Sequence, residues 1–216
     1  MGNIIIRDME IGDVADIKAA MTDVWGYSDF TKDEEVLSAA VGLDFNQVLH
    51  GATFMRIATI DDKVVGVVAG IVKNQTPSYR HYLENGTELA MVIAKKASSM
   101  IQKAIYEYLS KQREVYVELL KEAKEDYDGT LEFLLLSEKA QGLGIGKKLY
   151  TALMDYFEET RAKSIYLFTD THSNFGFYEH LGWSRRLEYN AVFKFGPFGL
   201  YKMKIMNYLY DIKVGI

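Results

Sequence analysis

Cysteine is absent from the 216 residues, so the chain has no disulfide framework, no thiolate nucleophile and no cysteine-based zinc site. A reducing compartment fits that absence, and the expected location is the cytoplasm. Two prolines leave no proline-rich linker or hinge. Long apolar runs are missing as well. The longest, residues 64–72, has nine residues and includes Gly66 and Gly70, whereas a membrane span needs about 20. The first eight residues lack the basic and apolar regions of a secretion signal. Met1-Gly2 hints at myristoylation, but Ile6 stands where that motif wants Ser or Thr. Basic charge is also in short supply. Against 30 acidic residues there are 25 Lys and Arg, a net charge of −5. No basic face for a nucleic acid is advertised.

What is present is an ordinary globular composition, 49% hydrophobic and 25% charged, which excludes disordered, collagen and coiled-coil classes. Residues 4–7 read as a β-branched strand and residues 13–25 as a helix. Thr31-Lys32-Asp33-Glu34 reads as a capping box opening a second helix. Residues 54–60 and 64–72 flank Asp61-Asp62-Lys63 as a β-hairpin. Gly66 and Gly70 in its second strand point to a bulge or a close backbone approach. From 77 to 127 the pattern turns helical, with Leu89, Ile93, Ala97, Met100, Ala104 and Tyr108 as one apolar stripe. The charges from Lys111 to Asp128 read as a solvated helix face. Then come a strand at 131–136, a glycine-rich turn at 141–146, a helix at 147–162 and a strand at 164–169. A short helix near 175–181 and strands at 183–193 and 200–208 end the chain. No repeat or linker interrupts it. One α+β domain over 1–216, with a helical insertion at about 77–127, is the expected organisation.

The densest chemistry lies in Leu134-Leu135-Leu136-Ser137-Glu138-Lys139-Ala140-Gln141-Gly142-Leu143-Gly144-Ile145-Gly146-Lys147-Lys148. A strand enters a turn with glycine at every second position, and a helix opens from it. Glycines let a backbone approach a ligand, and the first helical turn adds unpaired N–H donors and the positive end of the helix dipole. Together with Lys147 and Lys148 this is a cradle for a diphosphate. The dinucleotide fingerprint would need glycine at position 147, where Lys147 stands. The P-loop would need glycine at 141 and Ser or Thr at 148, where Gln141 and Lys148 stand.

The remaining pattern, Q-x-x-G-x-G at Gln141, Gly144 and Gly146, resembles the coenzyme A pyrophosphate turn of the Gcn5-related N-acetyltransferases (GNAT). A second segment, Asn174-Phe175-Gly176-Phe177-Tyr178-Glu179-His180-Leu181-Gly182-Trp183, resembles the closing motif of the same family. The resemblance implies the acyl-CoA N-acyltransferase fold, a twisted mixed sheet with helices on both faces. It implies acetyl-CoA as co-substrate, with its diphosphate on the backbone of Gly142, Leu143, Gly144, Ile145, Gly146 and Lys147. Leu134 and Leu136 would offer backbone groups to the pantetheine arm, and Asn174 would contact the cofactor. In the family the tyrosine matching Tyr178 protonates the departing thiolate. The implied acceptor is a small-molecule or peptide amine, and the runner-up is a non-catalytic acyl-CoA-binding module.

An amine must lose a proton to attack, so a base is needed. Glu132 is the candidate, since strict alternation puts it on one strand face with Leu134 and Leu136. His50, His81, His172 and His180 show no metal-binding pairing with a carboxylate, so no metal is implied. The segment 77–127 is longer than the family core supplies. Tyr79, His81, Tyr82, Tyr106 and Tyr108 are polar-tipped aromatics suited to a pocket. The segment is therefore expected to wall the acceptor site, the alternatives being plain packing or a homodimer contact.

Overall fold

β-Branched and apolar residues at strand spacing build seven strands. The computed structural model of the chain describes residues 3–193 and 203–215. Strand β1 (Ile4–Asp8) leads into α1 (Val14–Val24) and α2 (Glu34–Gly51). The hairpin β2 (Phe54–Ile60) and β3 (Lys63–Val72) follows, then α3 (Gly86–Lys96) and α4 (Ser99–Ala123). Strand β4 (Gly129–Leu136), α5 (Ile145–Glu159), β5 (Ser164–Asp170), α6 (Gly176–His180), β6 (Ser184–Phe193) and β7 (Met203–Lys213) complete the order. The strands form one sheet in the order β1-β2-β3-β4-β5-β7-β6. Every neighbouring pair is antiparallel except β4 and β5. Helices α1 to α4 cover one face of the sheet. The other face is covered by α5 and α6. Among the described residues no helix is long and apolar enough to cross a membrane.

Several local readings change once the chain is folded. Asp61 and Asp62, both at positive φ, make the β2–β3 turn, the conformation a tight hairpin requires. The cap of α2 is Asp33, whose Oδ1 accepts from the amides of Glu35 and Val36 at 3.0 and 3.1 Å. Thr31 serves one step back, accepting from the Asp33 amide at 3.1 Å. The expected single stripe from Leu89 to Tyr108 is cut by Ala97, whose extended backbone ends α3, and Ser98 caps α4. The restart changes the helical phase. Ile93, Ala104 and Tyr108 are buried, whereas Met100 is 53% exposed. The strand expected at 200–208 begins in residues outside the described set and continues to Lys213.

Helix α5 lies close on the sheet because glycines leave room for it. A Cβ on Gly66 would stand 2.8 Å from Leu136 Cδ2 and 3.0 Å from Leu149 Cδ1. Gly129 is tighter still, since its Cβ would stand 2.5 Å from the Ile71 carbonyl oxygen and 3.1 Å from Phe157. Gly129 also pairs with Ile165 in the parallel ladder that joins the two halves of the sheet. Gly129→Ala should therefore destabilise the protein by ~1–3 kcal/mol, the range for overpacking. The check is the urea midpoint at unchanged m value, and an unmoved midpoint would show that β3 yields without cost.

Candidate active site

The parallel pairing of β4 with β5 covers Gly129↔Ile165 and Thr130↔Tyr166. Beyond it the strands part, and a cleft of about 1350 Å³ opens between them. Gly129 to Thr130 thus forms the closed end of the fork. On its other edge, β4 pairs with β3, where Ala69 faces Phe133 and Gly70 faces Leu131. Glu132 is the extra residue in that ladder, a β-bulge. The bulge interrupts alternation. Leu134 and Leu136 pack on the α5 face, while Glu132 feels the charge of Asp44 on α2 and itself acts on Tyr116 of α4. The expectation that Glu132 shares a face with Leu134 and Leu136 is corrected on this point. An inserted residue is invisible to period-two counting.

The glycine turn forms one end of the cleft. Gly142 and Gly144 have φ of +73° and +71°, and a Cβ on either would meet nothing within 4 Å. Glycine is needed there for backbone conformation, and the space above it is open. The Leu143 amide turns inward to the Ala140 carbonyl at 3.4 Å. The first α5 bond of this stretch runs from the Lys148 amide to Gly144 at 3.2 Å. That leaves the amides of Ile145, Gly146 and Lys147 as free donors of the helix end. Gln141, Gly142, Gly144, Gly146, Lys147, Leu134, Leu136 and Asn174 all line the cleft. The Ile145 side chain is fully buried, so only its backbone is on offer.

Tyr178 on α6 lines the same cleft. Two clamps hold its helix. The Trp183 indole donates to the Tyr150 hydroxyl at 3.0 Å, which fastens the end of α6 to α5. Arg185 lies 4.3 Å over the Tyr208 ring and pairs with Glu179 at 2.7 Å, and the Tyr210 hydroxyl donates to the same carboxylate at 2.7 Å. The Tyr178 hydroxyl has no hydrogen-bond partner among the described residues. Burial, helped by the neighbouring Tyr150, lifts its phenol well above the ordinary value, so it remains a proton donor at neutral pH.

The opposite wall is acidic. Asp44 takes a 2.6 Å bond from the buried Tyr27 hydroxyl. Enclosure by protein nevertheless raises its carboxyl to about 6, against the lowering effect of that bond. Glu132 meets cleft water, yet the surrounding walls keep bulk solvent away. Desolvation first, and then Asp44, push it up to about 7. Asp170, at the end of β5, closes a turn by accepting on Oδ1 from the amides of His172 and Ser173 at 2.8 and 3.1 Å. Tyr116 accepts a 2.9 Å bond from Gln112 and stacks flat on Phe168 at 4.1 Å.

Segment 77–127 does reach the cleft, through Tyr108 as expected and otherwise through residues other than those expected. Tyr108, Leu109, Gln112, Arg113 and Tyr116 of α4 line it, as do Leu83 and Glu84. Tyr79 instead accepts from the Met55 amide at 3.0 Å and donates to its carbonyl at 3.2 Å, fastening the loop to β2. His81 stacks on Tyr82, and Tyr106 faces solvent; none of these lines the cleft. Glu84 is held by Lys18 at 2.7 Å and by Asn46, which both donates to its carbonyl and accepts from its amide. Gly42 leaves room for that ion pair, since its Cβ would stand 2.8 Å from Glu84 Oε2. Asp44, Tyr116 and Asn207 were not singled out from sequence.

A mixed sheet forked beside a glycine turn, with helices on both faces, is the acyl-CoA N-acyltransferase architecture. The chain belongs to the acetyltransferase (GNAT) family, whose family model matches residues 17–183. Among solved structures it is similar to agmatine N-acetyltransferase in a mutant apo form, at 11% identity and TM-score 0.58, with 98% of this chain and 100% of that one covered. The ribosomal-protein-S18-alanine N-acetyltransferase from Escherichia coli is similar at 11% identity and TM-score 0.54, covering 99% and 96%. An acetyltransferase of the GNAT family from Streptococcus pneumoniae is similar at 13% and 0.52, covering 99% and 100%. A comparison with curated protein sequences gave no match.

The Tyr27–Asp44 bond supplies a pH test. It favours the ionised carboxylate, so its removal should push the Asp44 carboxyl further above 6. Raised carboxyls add stability at low pH that is lost as pH climbs through the folded-state value. Tyr27→Phe should therefore cost ~1.5–3 kcal/mol at pH 8, the range for a bond to a charged group, and clearly less at pH 5. Urea unfolding at the two pH values checks this; equal losses would show that Asp44 does not ionise at pH 8.

Proposed function

We propose that the protein transfers an acetyl group from acetyl-CoA to a primary amine, with Tyr178 as general acid and Glu132 as general base. The observation that carries this reading is the pairing, in one cleft, of an unpartnered phenol kept protonated and a carboxylate raised to about 7. Their environments push the two groups apart in role, as acid–base catalysis requires.

The residues present suit coenzyme A. The open space above Gly142 and Gly144 and the free amides of 145–147 are a fit for a diphosphate, and Lys147 adds a positive charge at the cleft wall. Leu134 and Leu136 lie on β4 beyond its last pairing with β5, which leaves that strand edge to an extended arm. Asn174 stands at the mouth. When bound, acetyl-CoA supplies the activated acyl thioester. On the protein side, a Glu132 carboxylate oxygen takes the proton that the amine must shed, and Tyr178 Oη gives one to the departing sulfur. The similar structures are named for unlike acceptors, agmatine and an alanine of ribosomal protein S18, so the fold leaves the acceptor open.

Three variants test the roles separately. Gly144→Val should lose acetyl-CoA binding by calorimetry, because a β-branched residue resists φ of +71°; parent-like affinity would put the cradle elsewhere. Tyr178→Phe keeps the ring and should lower turnover ~10²-fold, the low end for general acid catalysis, at near-normal acetyl-CoA affinity. Unchanged turnover would leave Tyr178 as packing. In the parent, kcat/KM should rise as pH climbs through about 7, and Glu132→Gln should erase that limb. Coenzyme A binding without transfer to any amine would favour a binding module.

A further inference from the structure

The glycine turn and Tyr178 account for one end of the cleft, and Glu132 for its middle. The far wall, made by α2, α4 and the end of β5 and β7, is richer in hydrogen-bond acceptors than a single reacting amine needs. We propose that the acceptor is an extended polycation, a diamine or longer polyamine, whose second ammonium group is held by Asp44, Asp170 and the side-chain oxygen of Asn207 beside Tyr116. This rests on the acetyl-transfer reading above and names the class of acceptor for that same site.

Charge balance is the first argument. Four carboxylates line the cleft, Asp44, Glu84, Glu132 and Asp170, and two cations, Arg113 and, at the glycine-turn end, Lys147. Glu84 is neutralised by Lys18. No Lys or Arg pairs with the other three among the described residues. Asp44 has the Tyr27 hydroxyl on one oxygen, and the turn donors of Asp170 all fall on Oδ1. Each therefore keeps an oxygen for a ligand. A common target locates them. The Tyr116 phenol is raised first by burial and then by Asp170, with Asp44 and Glu132 adding to it. Asp44 and Asp170, joined by Glu132 as it ionises near pH 7, surround that phenol with a field that attracts a cation.

A polar group that owes nothing to charge points the same way. Asn207 is 1% exposed and lies in the cleft wall. Its amide nitrogen donates to the carbonyls of Ile205 and Tyr189 at 3.0 and 3.5 Å, and among the described residues no donor reaches its side-chain oxygen. It is the cross-strand partner of Asp170, which puts the two side chains on one face of the sheet. An enclosed acceptor without a donor is costly, and an ammonium arriving in the cleft satisfies it.

Donor geometry and wall chemistry set the ligand class. Among the described residues no group of three His, Asp or Glu side chains is arranged to hold a metal ion. The acceptors are spread over α2, β4 and β5, which suits separated charges on a flexible chain. Between them stand aromatic surfaces, the Tyr116–Phe168 stack and the Trp25–Phe133 edge contact at 5.1 Å. Such walls take methylenes and tolerate cations at their faces. An amino acid would bring its own carboxylate against this field and be repelled.

The test compares three acceptors matched in length, 1,4-diaminobutane, butylamine and 4-aminobutanoate, with acetyl-CoA and the full chain. The diamine should exceed butylamine in kcat/KM by at least ~10-fold, the lower bound for a hydrogen bond to a charged group, and 4-aminobutanoate should be poorest. Asp44→Asn and Asp170→Asn should each reduce the diamine-to-monoamine ratio by about the same factor. Asn at 44 still accepts the Tyr27 bond, and a melting curve checks folding; should it unfold, Asp170→Asn carries the test. Calorimetry of 1,4-diaminobutane with coenzyme A present supplies a readout independent of transfer. A diamine that binds through Asp44 and Asp170 without acetylation of any amine would sink the transferase reading and leave the cation site standing. Equal kcat/KM for diamine and monoamine, variants with unchanged ratio, or no diamine binding would overturn the polycation proposal, whatever the fate of the transferase reading.

Discussion

β4 and β5 hydrogen-bond to each other over two residue pairs and then separate, and the rest of the molecule is arranged around that fork. A sheet that stayed zipped would bury β4 on both edges and leave no passage between its two faces. Gly129 permits the close approach at the crotch, where a side chain would collide with the Ile71 carbonyl. From there the cleft runs through the sheet and meets α5 and α6 on one side and α2 and α4 on the other. The groups proposed to face the thioester and the acceptor therefore come from different elements. One parallel step in an otherwise antiparallel sheet is what lets them meet.

Legibility in the sequence follows how local each feature is. The glycine turn was readable because Gly142 and Gly144 serve their own backbone conformation, and Gly146 the helix that opens beside them. Tyr178 was readable because a short helix, Gly182 and Trp183 lie within one segment. The face that Glu132 occupies escapes period-two counting, since its bulge exists only in the register with Ala69 and Gly70. Asp44 gave no signal, because its partner Tyr27 and its neighbour Glu132 come from separate elements. Asn207 was silent for the same reason: its orientation is set by carbonyls of β6 and β7. Tyr79 looked like pocket chemistry and is a fastener, because aromatic identity alone does not say which way a loop turns it.

The acidic wall also carries a cost. Asp44 and Glu132 are both raised above ordinary carboxyl values, chiefly by desolvation. The fold retains them in spite of this, and supports the neighbourhood with contacts distant from the charges. The Lys18–Glu84 pair, clamped by Asn46, fixes the loop that enters α3. The Tyr27–Tyr108–Phe193 aromatic contacts hold α4 against the sheet. The cost of desolvating two carboxyls is thus met by rigid surroundings, as expected where a site must be ready before its ligand arrives.

Helix α4 lends the acceptor side a property that a loop would not provide. Tyr108, Gln112 and Tyr116 recur at four-residue spacing and all line the cleft. With a rise of 1.5 Å per residue, they mark off steps of ~6 Å along a straight rail of ~12 Å. A rail of fixed pitch works as a ruler. Moving one polar group by a helical turn shifts the far mark by a set length and leaves the near one in place. The end that faces Tyr178 lies on other elements and keeps its geometry. On the proposed diamine reading, acceptor length is measured in units of a helical turn, and substitutions on one helix face regraduate it.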